Sequence, residues 1–150
     1  MHRQSRAKSQ NALPVLPCAC ANLRRASRTI SRLYNHELRS EKIGITQFTL
    51  LMTLDRIGEI SQGKLGNLLA LDSTSLTRML ELLKKRGWIQ EKEGDDRRFR
   101  IIHLTAVGRT KFQQSLPHWK RAQRHVEEAL GERTIEQLEG MMTQVSELER

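Results

Sequence analysis

Small and apolar residues recur at helical spacing from the first third of the chain onwards. The first stripe, with intervals alternating between four and three residues, comprises Leu16, Cys20, Leu23, Ser27, Ile30 and Tyr34. Such a stripe is typical of a helix that packs on other helices. It predicts a first helix over about residues 13–39. Pro14 and Pro17 then fall in the first turn, where a proline sacrifices no intrahelical hydrogen bond.

Shorter helices are predicted in the centre of the chain. Thr46 is the expected N-cap of a second helix, which ends before Gly58. Ser61 is the expected N-cap of a third, short helix. A fourth helix begins after Asp72 or Ser73, either of which is a suitable cap, and ends before Gly87. The fourth helix is expected to turn its apolar residues inward, namely Leu76, Met79, Leu80 and Leu83.

Two β-branched or aromatic segments, residues 88–92 and 98–104, flank the charged residues 93–97 and predict a hairpin. Thr105 then begins a fifth helix with heptad-like spacing of its large side chains. A capping box over residues 134–137 predicts the start of a sixth helix. The fold class expected is mainly α with a small β-hairpin.

The predicted elements give one folded domain over residues 13–150, preceded by a disordered basic arm over residues 1–12. Within the domain, residues 43–105 form a compact lobe. Residues 13–42 and 106–150 supply long amphipathic helices. Because these helices lie outside a lobe that is already complete, we expect them to bury their apolar faces in a homodimer.

The net charge of the chain indicates the class of its partner. The chain carries 26 Lys and Arg against 17 Asp and Glu, a formal net charge of +9. Such an excess favours a polyanionic partner, and the sequence shows neither a membrane-spanning run nor a signal peptide. We therefore expect a cytoplasmic protein that binds nucleic acid and no membrane.

Residues 61–87 have the form of a helix-turn-helix: a short helix, a tight turn at residues 70–72 and a longer helix. Short polar side chains begin the second helix, where Ser73, Thr74, Ser75 and Thr77 are placed to reach phosphates or base edges. Arg78 suits a bidentate pair with guanine. The charged hairpin tip would bring an arginine to a minor groove, which favours DNA binding over an ordinary capped surface helix.

The sequence resembles the MarR family of bacterial transcription regulators. The resemblance covers about residues 16–148 and lies in residues 71–80, in Lys85-Arg86-Gly87-Trp88-Ile89, in Asp96-Arg97-Arg98 and in Leu104-Thr105-Ala106-Val107-Gly108. It implies a winged helix-turn-helix dimer, with Arg98 in the minor groove and Asp96 orienting a neighbouring arginine. By charge alone, Arg97 or Arg100 would serve as well as Arg98. Lys85 completes the predicted DNA-binding set.

Cys18 and Cys20 are the cysteines of the chain. At the first turn of a helix, free amides favour a thiolate, so either residue is a candidate for oxidation. Positions i and i+2 of a helix diverge, which disfavours a Cys18–Cys20 disulfide. The alternative is that Cys20, in the apolar stripe, is a small core residue.

One branch of the MarR family senses organic hydroperoxides, and the resemblance places Cys20 at its reactive cysteine and Tyr34 at one of two thiol-partner tyrosines. Ile45 stands where the second tyrosine would be. We therefore expect a small apolar or aromatic effector to be the main signal and oxidation to be secondary.

Catalysis and metal binding have little support in the sequence. The chain has no glycine-rich phosphate loop and no nucleophile elbow, and its histidines lack a compact ligand spacing. We predict no enzyme activity, no cofactor and no metal. The main hypothesis is a dimeric repressor that binds a pseudo-palindromic site in double-stranded DNA. The alternatives are a peroxide-sensing repressor, a non-specific architectural DNA-binding protein and, last, a small thiol peroxidase.

Overall fold

The computed structural model describes residues 14–96 and 99–149. Six α-helices lie in these ranges: α1 (Ala19–Leu38), α2 (Ile45–Ile57), α3 (Gln62–Leu69), α4 (Ser73–Lys85), α5 (Ala106–Leu130) and α6 (Glu132–Ser146). The strands are β1 (Ile60–Ser61), β2 (Ile89–Glu93) and β3 (Arg100–Leu104), and short 3-10 turns follow α1 and α6. In these ranges no helix combines the length and the apolar character needed to cross a bilayer. The predicted arm, residues 1–12, lies outside the described residues.

The strands form an antiparallel sheet in the order β1-β3-β2. Ile89 pairs with Leu104 at the base of the predicted hairpin, and Glu93 pairs with Arg100 near its tip. On the other edge of β3, Ile60 of β1 pairs with Ile102. The hairpin is confirmed, whereas β1 was missed because two residues are too few to show strand alternation.

The main core lies in the lobe, where α2, α3, α4, the sheet and the start of α5 meet. Its fully buried side chains include Phe48, Leu51, Leu54, Leu65, Leu80, Leu83, Ile89 and Ile102. Phe48 lies against Phe112 and Trp119 of α5, with ring centroids 5.4 Å and 5.8 Å apart. A second, smaller cluster joins α1 to α5 through Tyr34, Ala122 and Val126. Trp119 packs on both clusters, so the lobe and the long helices share contacts.

The sequence placed the start of α1 too early. The helix begins at Ala19, after an extended N-cap at Cys18, so Pro14 and Pro17 precede it. The side chain of Asn22 explains the difference, because it bonds both the amide and the carbonyl of Leu16. These bonds hold the preceding segment against the first turn and out of the helix.

Two other helix starts were also misplaced. Helix α2 begins at Ile45 with Gly44 as N-cap, not at Thr46, because Asn35 of α1 accepts the Ile45 amide at 2.7 Å. Helix α6 begins at Glu132, directly after Gly131, so the capping box at residues 134–137 does not form. The positive φ of Gly131 turns the chain, and its carbonyl accepts the Thr134 amide at 3.1 Å.

The remaining predicted caps are confirmed. Ser61 accepts the Lys64 amide at the start of α3, and Asp72 accepts the Ser75 amide at the start of α4. Thr105 accepts the Gly108 amide at the start of α5. Beyond α4, Gly87 has the positive φ expected of a residue that ends a helix.

Candidate nucleic-acid interface

The turn between α3 and α4 fixes the angle of the helix-turn-helix. Ala70 adopts a left-handed conformation with φ of 49°, and the Leu71 amide donates to the Gly66 carbonyl at 3.0 Å. Gly66 is buried, and a Cβ there would lie 3.2 Å from a methyl group of Leu76. The two helices therefore approach closely at this point, with α4 held against α3 at its first turn.

Helix α4 has a buried face and an exposed polar face. Leu76, Leu80 and Leu83 are buried in the main core. Every α4 residue predicted to contact DNA is exposed, namely Ser73, Thr74, Ser75, Thr77, Arg78 and Lys85. The structure thus brings the predicted α4 residues to a common surface.

Two of these hydroxyl groups already have partners. Ser75 donates its hydroxyl to Asp72 at 2.6 Å, in addition to the amide bond of the cap. This hydroxyl bond and the Ser75 amide hold the pKa of the Asp72 carboxyl below its usual value. Thr77 accepts a hydrogen bond from Gln62 of α3 at 3.2 Å. Ser75 therefore has a structural role in the cap, and its contact with DNA stays a prediction.

The hairpin β2–β3 forms a wing beside α4. Near its tip the Gly94 amide donates to the Phe99 carbonyl, and the Phe99 amide to the Asp96 carbonyl, each at 2.9 Å. Phe99 is 54% exposed although it is a large apolar residue. Asp96 is half-buried in this turn. Arg97 and Arg98 lie outside the described residues, so their predicted roles stay predictions.

A network of ion pairs links α4 to the wing, and sequence reasoning missed it. Glu91 of β2, whose side chain is 15% exposed, lies 2.9 Å from Lys84 of α4. Its other carboxylate oxygen lies 3.8 Å from Arg100 of β3. These residues lie on three different elements, and the packing of α4 on the wing brings them together.

Two hollows show how α4 and the wing adjoin. One, of about 400 Å³, includes Ser73 of α4 with Phe99 and Arg100 of the wing. The other, of about 370 Å³, includes Thr77 of α4 with Arg100 and Gln62. Ser73 and Thr77 of α4 therefore adjoin Arg100, the described arginine of the wing.

The motif Leu104-Thr105-Ala106-Val107-Gly108 joins the wing to α5. Thr105 donates its hydroxyl to the Gly87 carbonyl at 2.6 Å and its amide to the Trp88 carbonyl at 3.1 Å. Gly108 packs so closely that a Cβ would lie 1.9 Å from the Trp88 oxygen. The motif thus fixes α5 against the end of α4 and the base of the wing.

Cys18 and Cys20 are both exposed. The interpretation of Cys20 as a core residue is therefore wrong for the single chain, because the N-terminal half of the α1 stripe has no helix packed on it. Cys18 is the extended N-cap and lies outside the helix, so the geometric argument against a Cys18–Cys20 disulfide does not hold. Both thiols line a hollow of about 390 Å³ together with Arg24, Arg25 and Arg28.

Tyr34 is not close to either cysteine of its own chain. It lies 14 residues after Cys20 on the same helix, a separation of roughly 21 Å at 1.5 Å per residue. Its hydroxyl instead donates to Gln123 of α5. Burial, and then the nearby Glu127, raise the pKa of Tyr34. Within one chain, Tyr34 is part of the α1–α5 packing. Among the described residues no cluster of three potential metal ligands occurs.

The apolar faces at the ends of the long helices are not covered. Leu16 and Leu23 are exposed at the start of α1, and Leu130 is exposed at the end of α5. Helix α6 has no buried residue and exposes Leu138, Met142 and Val145. These residues were predicted to lie on packing faces. Within one chain their side chains remain exposed.

Comparison with known proteins identifies relatives of this fold. The model of the MarR family matches residues 43–99, which include the helix-turn-helix and part of the wing. The regulator SarZ of Staphylococcus haemolyticus is 31% identical over 59% of this chain and 61% of its own length. The transcriptional repressor MprA of Escherichia coli is 35% identical over 55% of this chain and 49% of its own length. The chain thus matches about half to three fifths of these curated relatives.

A solved structure matches over nearly the whole described chain. The transcriptional regulator MosR of M. tuberculosis, crystallised in complex with DNA, has a TM-score of 0.78 and 30% identity. The match covers 89% of this chain and 98% of MosR. The shared architecture, together with the family match over the lobe, shows that this chain belongs to the MarR family and has a winged helix-turn-helix fold.

Proposed function

We propose that the protein is a sequence-specific DNA-binding transcriptional regulator of the repressor type. The observation that carries the proposal is the joint surface of α4 and the wing, where exposed hydroxyl and guanidinium groups adjoin. A helix with short polar side chains at its start and an arginine one turn later suits the major groove of double-stranded DNA. The wing lies beside this helix, where it can reach the adjacent backbone or minor groove.

Two relatives support this proposal. MosR has been crystallised with DNA, and MprA is named a transcriptional repressor. The formal net charge of +9 favours binding to the phosphate backbone, which supplies affinity without sequence preference. Preference for a sequence then comes from side chains of α4 and of the wing that reach base edges.

Selection of genomic fragments by the purified protein tests the proposal. We expect recovery of fragments that share a pseudo-palindromic sequence, with half-sites about 10 base pairs apart or a multiple of this spacing. Recovery of unrelated fragments in proportion to their length would contradict sequence-specific binding.

A homodimer follows from the uncovered helix faces. Exposed apolar residues occur in the first and last segments of the described chain, outside α4 and the wing, namely Leu16, Leu23, Leu138, Met142 and Val145. Their burial in a second copy would place two α4 helices on one DNA duplex. A pseudo-palindromic site matches such a two-fold arrangement.

The wing arginines contribute through the motif Asp96-Arg97-Arg98. In this proposal Arg98 enters the minor groove and Asp96 orients a neighbouring arginine, while Arg100 contacts the backbone. Replacing Arg98 with Ala should weaken operator binding by roughly 1–3 kcal/mol without lowering the melting temperature. Wild-type affinity in a gel-shift titration of Arg98→Ala would remove the wing tip from the interface.

A small apolar or aromatic effector is the proposed signal for DNA release. The hollow of about 400 Å³ within the lobe suits such a molecule, because Leu71, Leu76 and Phe99 line it beside Ser73. An occupant there would contact α4 and the wing at once and change their spacing.

Thiol oxidation is a second candidate signal. It is favoured by the exposure of Cys18 and Cys20, which border one open hollow where an oxidant can reach both sulfur atoms. If oxidation is the signal, alkyl hydroperoxide should release DNA from the wild type but not from Cys20→Ser or Cys18→Ser. Mass spectrometry of the treated protein would distinguish a sulfenic acid from a disulfide within or between chains.

A further inference from the structure

The hydroxyl of Thr77 differs from those of three other threonines in the helices of this chain, and resembles that of Thr29, which accepts a hydrogen bond from Arg32. Thr49, Thr53 and Thr110 each donate to the carbonyl four residues earlier, at 2.8 to 3.0 Å. This bond is the usual one for a threonine inside a helix, and it uses the only proton of the hydroxyl. Among the described residues, Thr77 Oγ1 instead has Gln62 Nε2 as its partner, at 3.2 Å.

The direction of this bond decides what Thr77 offers to a ligand. Gln62 is the donor, so Thr77 uses a lone pair and keeps its proton. The hydroxyl is also exposed, on the face of α4 that carries Ser73, Thr74 and Arg78. Thr77 is therefore prepared to donate a hydrogen bond outward.

Gln62 is held in place by the fold around it. It is the first residue of α3, directly after the Ser61 cap, and it is half-buried. Its side chain borders both hollows between the helix-turn-helix and the wing. The second hollow is also lined by Lys84, Glu91 and Arg100, so Gln62 lies near the ion pairs that join α4 to the wing.

We propose that Gln62 is a positioning residue that orients the Thr77 hydroxyl as a donor toward a base edge in the major groove. The acceptors available there are guanine O6 and N7, adenine N7 and thymine O4. Cytosine offers no acceptor at this edge, so it cannot take the proton of the Thr77 hydroxyl. This inference rests on the proposed function in DNA binding. It states that, at one contact, the preferred base presents a hydrogen-bond acceptor.

The test uses binding curves on the recovered operator and on fragments in which single base pairs are exchanged. The variants are Gln62→Met, which keeps the length of the side chain but removes the donor, and Thr77→Val, which keeps its shape but removes the hydroxyl. Thr77→Ser keeps the hydroxyl. Gln114→Met, at an exposed position of α5, is the matched control.

We expect the wild type to discriminate at one position by about 3- to 10-fold through this contact. Gln62→Met and Thr77→Val should lose discrimination at the same position, and the double variant should lose no more than Thr77→Val. Thr77→Ser and Gln114→Met should retain it. If Gln62→Met fails to fold, Gln62→Asn provides the same test, because its shorter amide does not reach Thr77.

Two results would overturn the inference. The first is unchanged discrimination in Gln62→Met; if affinity then falls equally for every fragment, the effect is a general structural one or the loss of a phosphate contact. The second is a double variant whose loss of discrimination is the product of the two single losses. A wild type without preference among the fragments would overturn the proposed function as well, so the two failures are distinguishable.

Discussion

Neighbouring side chains give the hydroxyl groups of α4 different roles. Ser75 is bound by Asp72 in the N-cap, and Thr77 is held by Gln62, whereas Ser73 and Thr74 are exposed beside them. The sequence predicted all four as equal candidates for DNA contact. It could not separate them because the separation depends on the partner that each hydroxyl meets in the folded lobe.

Arg78 provides a direct test of base recognition at this scale. It is exposed on α4, one turn after Thr74. Arg78→Lys keeps the positive charge but loses the planar pair of donors, so we expect it to lose about 1–3 kcal/mol of discrimination for guanine. Binding to a scrambled fragment should change little. Equal losses on both fragments, measured by fluorescence anisotropy, would show that Arg78 contacts phosphate.

Tyr34 allows a test that separates structure from signalling. Tyr34→Phe removes the hydroxyl bond to Gln123 and should lower the free energy of unfolding by roughly 0.5–1.5 kcal/mol. The peroxide response should not change. A thermal melt and a peroxide titration of DNA binding check the two statements, and a lost response with unaltered stability would make Tyr34 part of the sensor.

The raised pKa of Tyr34 adds a pH dependence to this test. A raised pKa means that the folded state holds the proton more tightly than the unfolded state. The resulting stability is complete below the ordinary tyrosine pKa and is lost as the pH rises through the raised value. Urea unfolding at neutral and alkaline pH should show this loss in the wild type but not in Tyr34→Phe.

At the scale of elements, the packing of α5 on the wing base depends on one short motif. Thr105 caps α5 and also bonds the chain that leaves α4, while Gly108 lets the helix approach Trp88. In the sequence this motif is a family feature, and the structure gives it a physical reason. It is the point at which α4, the wing and α5 are fixed to one another.

Gly108→Ala tests this point of contact. The added Cβ would overlap the Trp88 carbonyl, so we expect a loss of about 1–3 kcal/mol in the free energy of unfolding. Gly140→Ala in α6 is the control, since a Cβ there meets nothing within 4 Å. Chemical denaturation compares the two variants. A neutral Gly108→Ala would show that α5 shifts freely against the wing.

The helices and the hairpin were largely predictable from the sequence. The residues at which α1, α2 and α6 begin were not. Local caps at Ser61, Asp72 and Thr105 were confirmed because each acts on its own helix. The start of α2 was missed because its cap, Asn35, comes from α1. The start of α1 was missed because Asn22 binds the preceding segment. The contacts of Gln62 and Glu91 likewise join residues that no local pattern relates.

At the scale of the whole molecule, the chain consists of a well-packed lobe and long helices with uncovered ends. The lobe has its own core, and α5 continues from it to α6. Because α6 buries none of its residues within one chain, its apolar face is available to a second copy. A dimer would hold two lobes at a fixed spacing, as a two-fold DNA site requires.

Substitutions on α6 test the dimer. Leu138→Lys combined with Met142→Lys places two charges on the exposed apolar face, and we expect a folded monomer with weaker DNA binding. Gln144→Lys adds a charge on another face of the same helix and should remain a dimer. Size-exclusion chromatography with light scattering gives the masses. A dimer in the double variant would exclude this face from the interface.

The ratio of affinities for the recovered operator and for a scrambled fragment of equal length tests the central claim most directly. Measured at about 0.15 M salt, where backbone attraction is screened, sequence-specific recognition by α4 and the wing predicts a ratio of at least about 10³. A ratio near one, with affinity that falls steeply with salt on both fragments, would contradict the claim and identify a non-specific architectural protein.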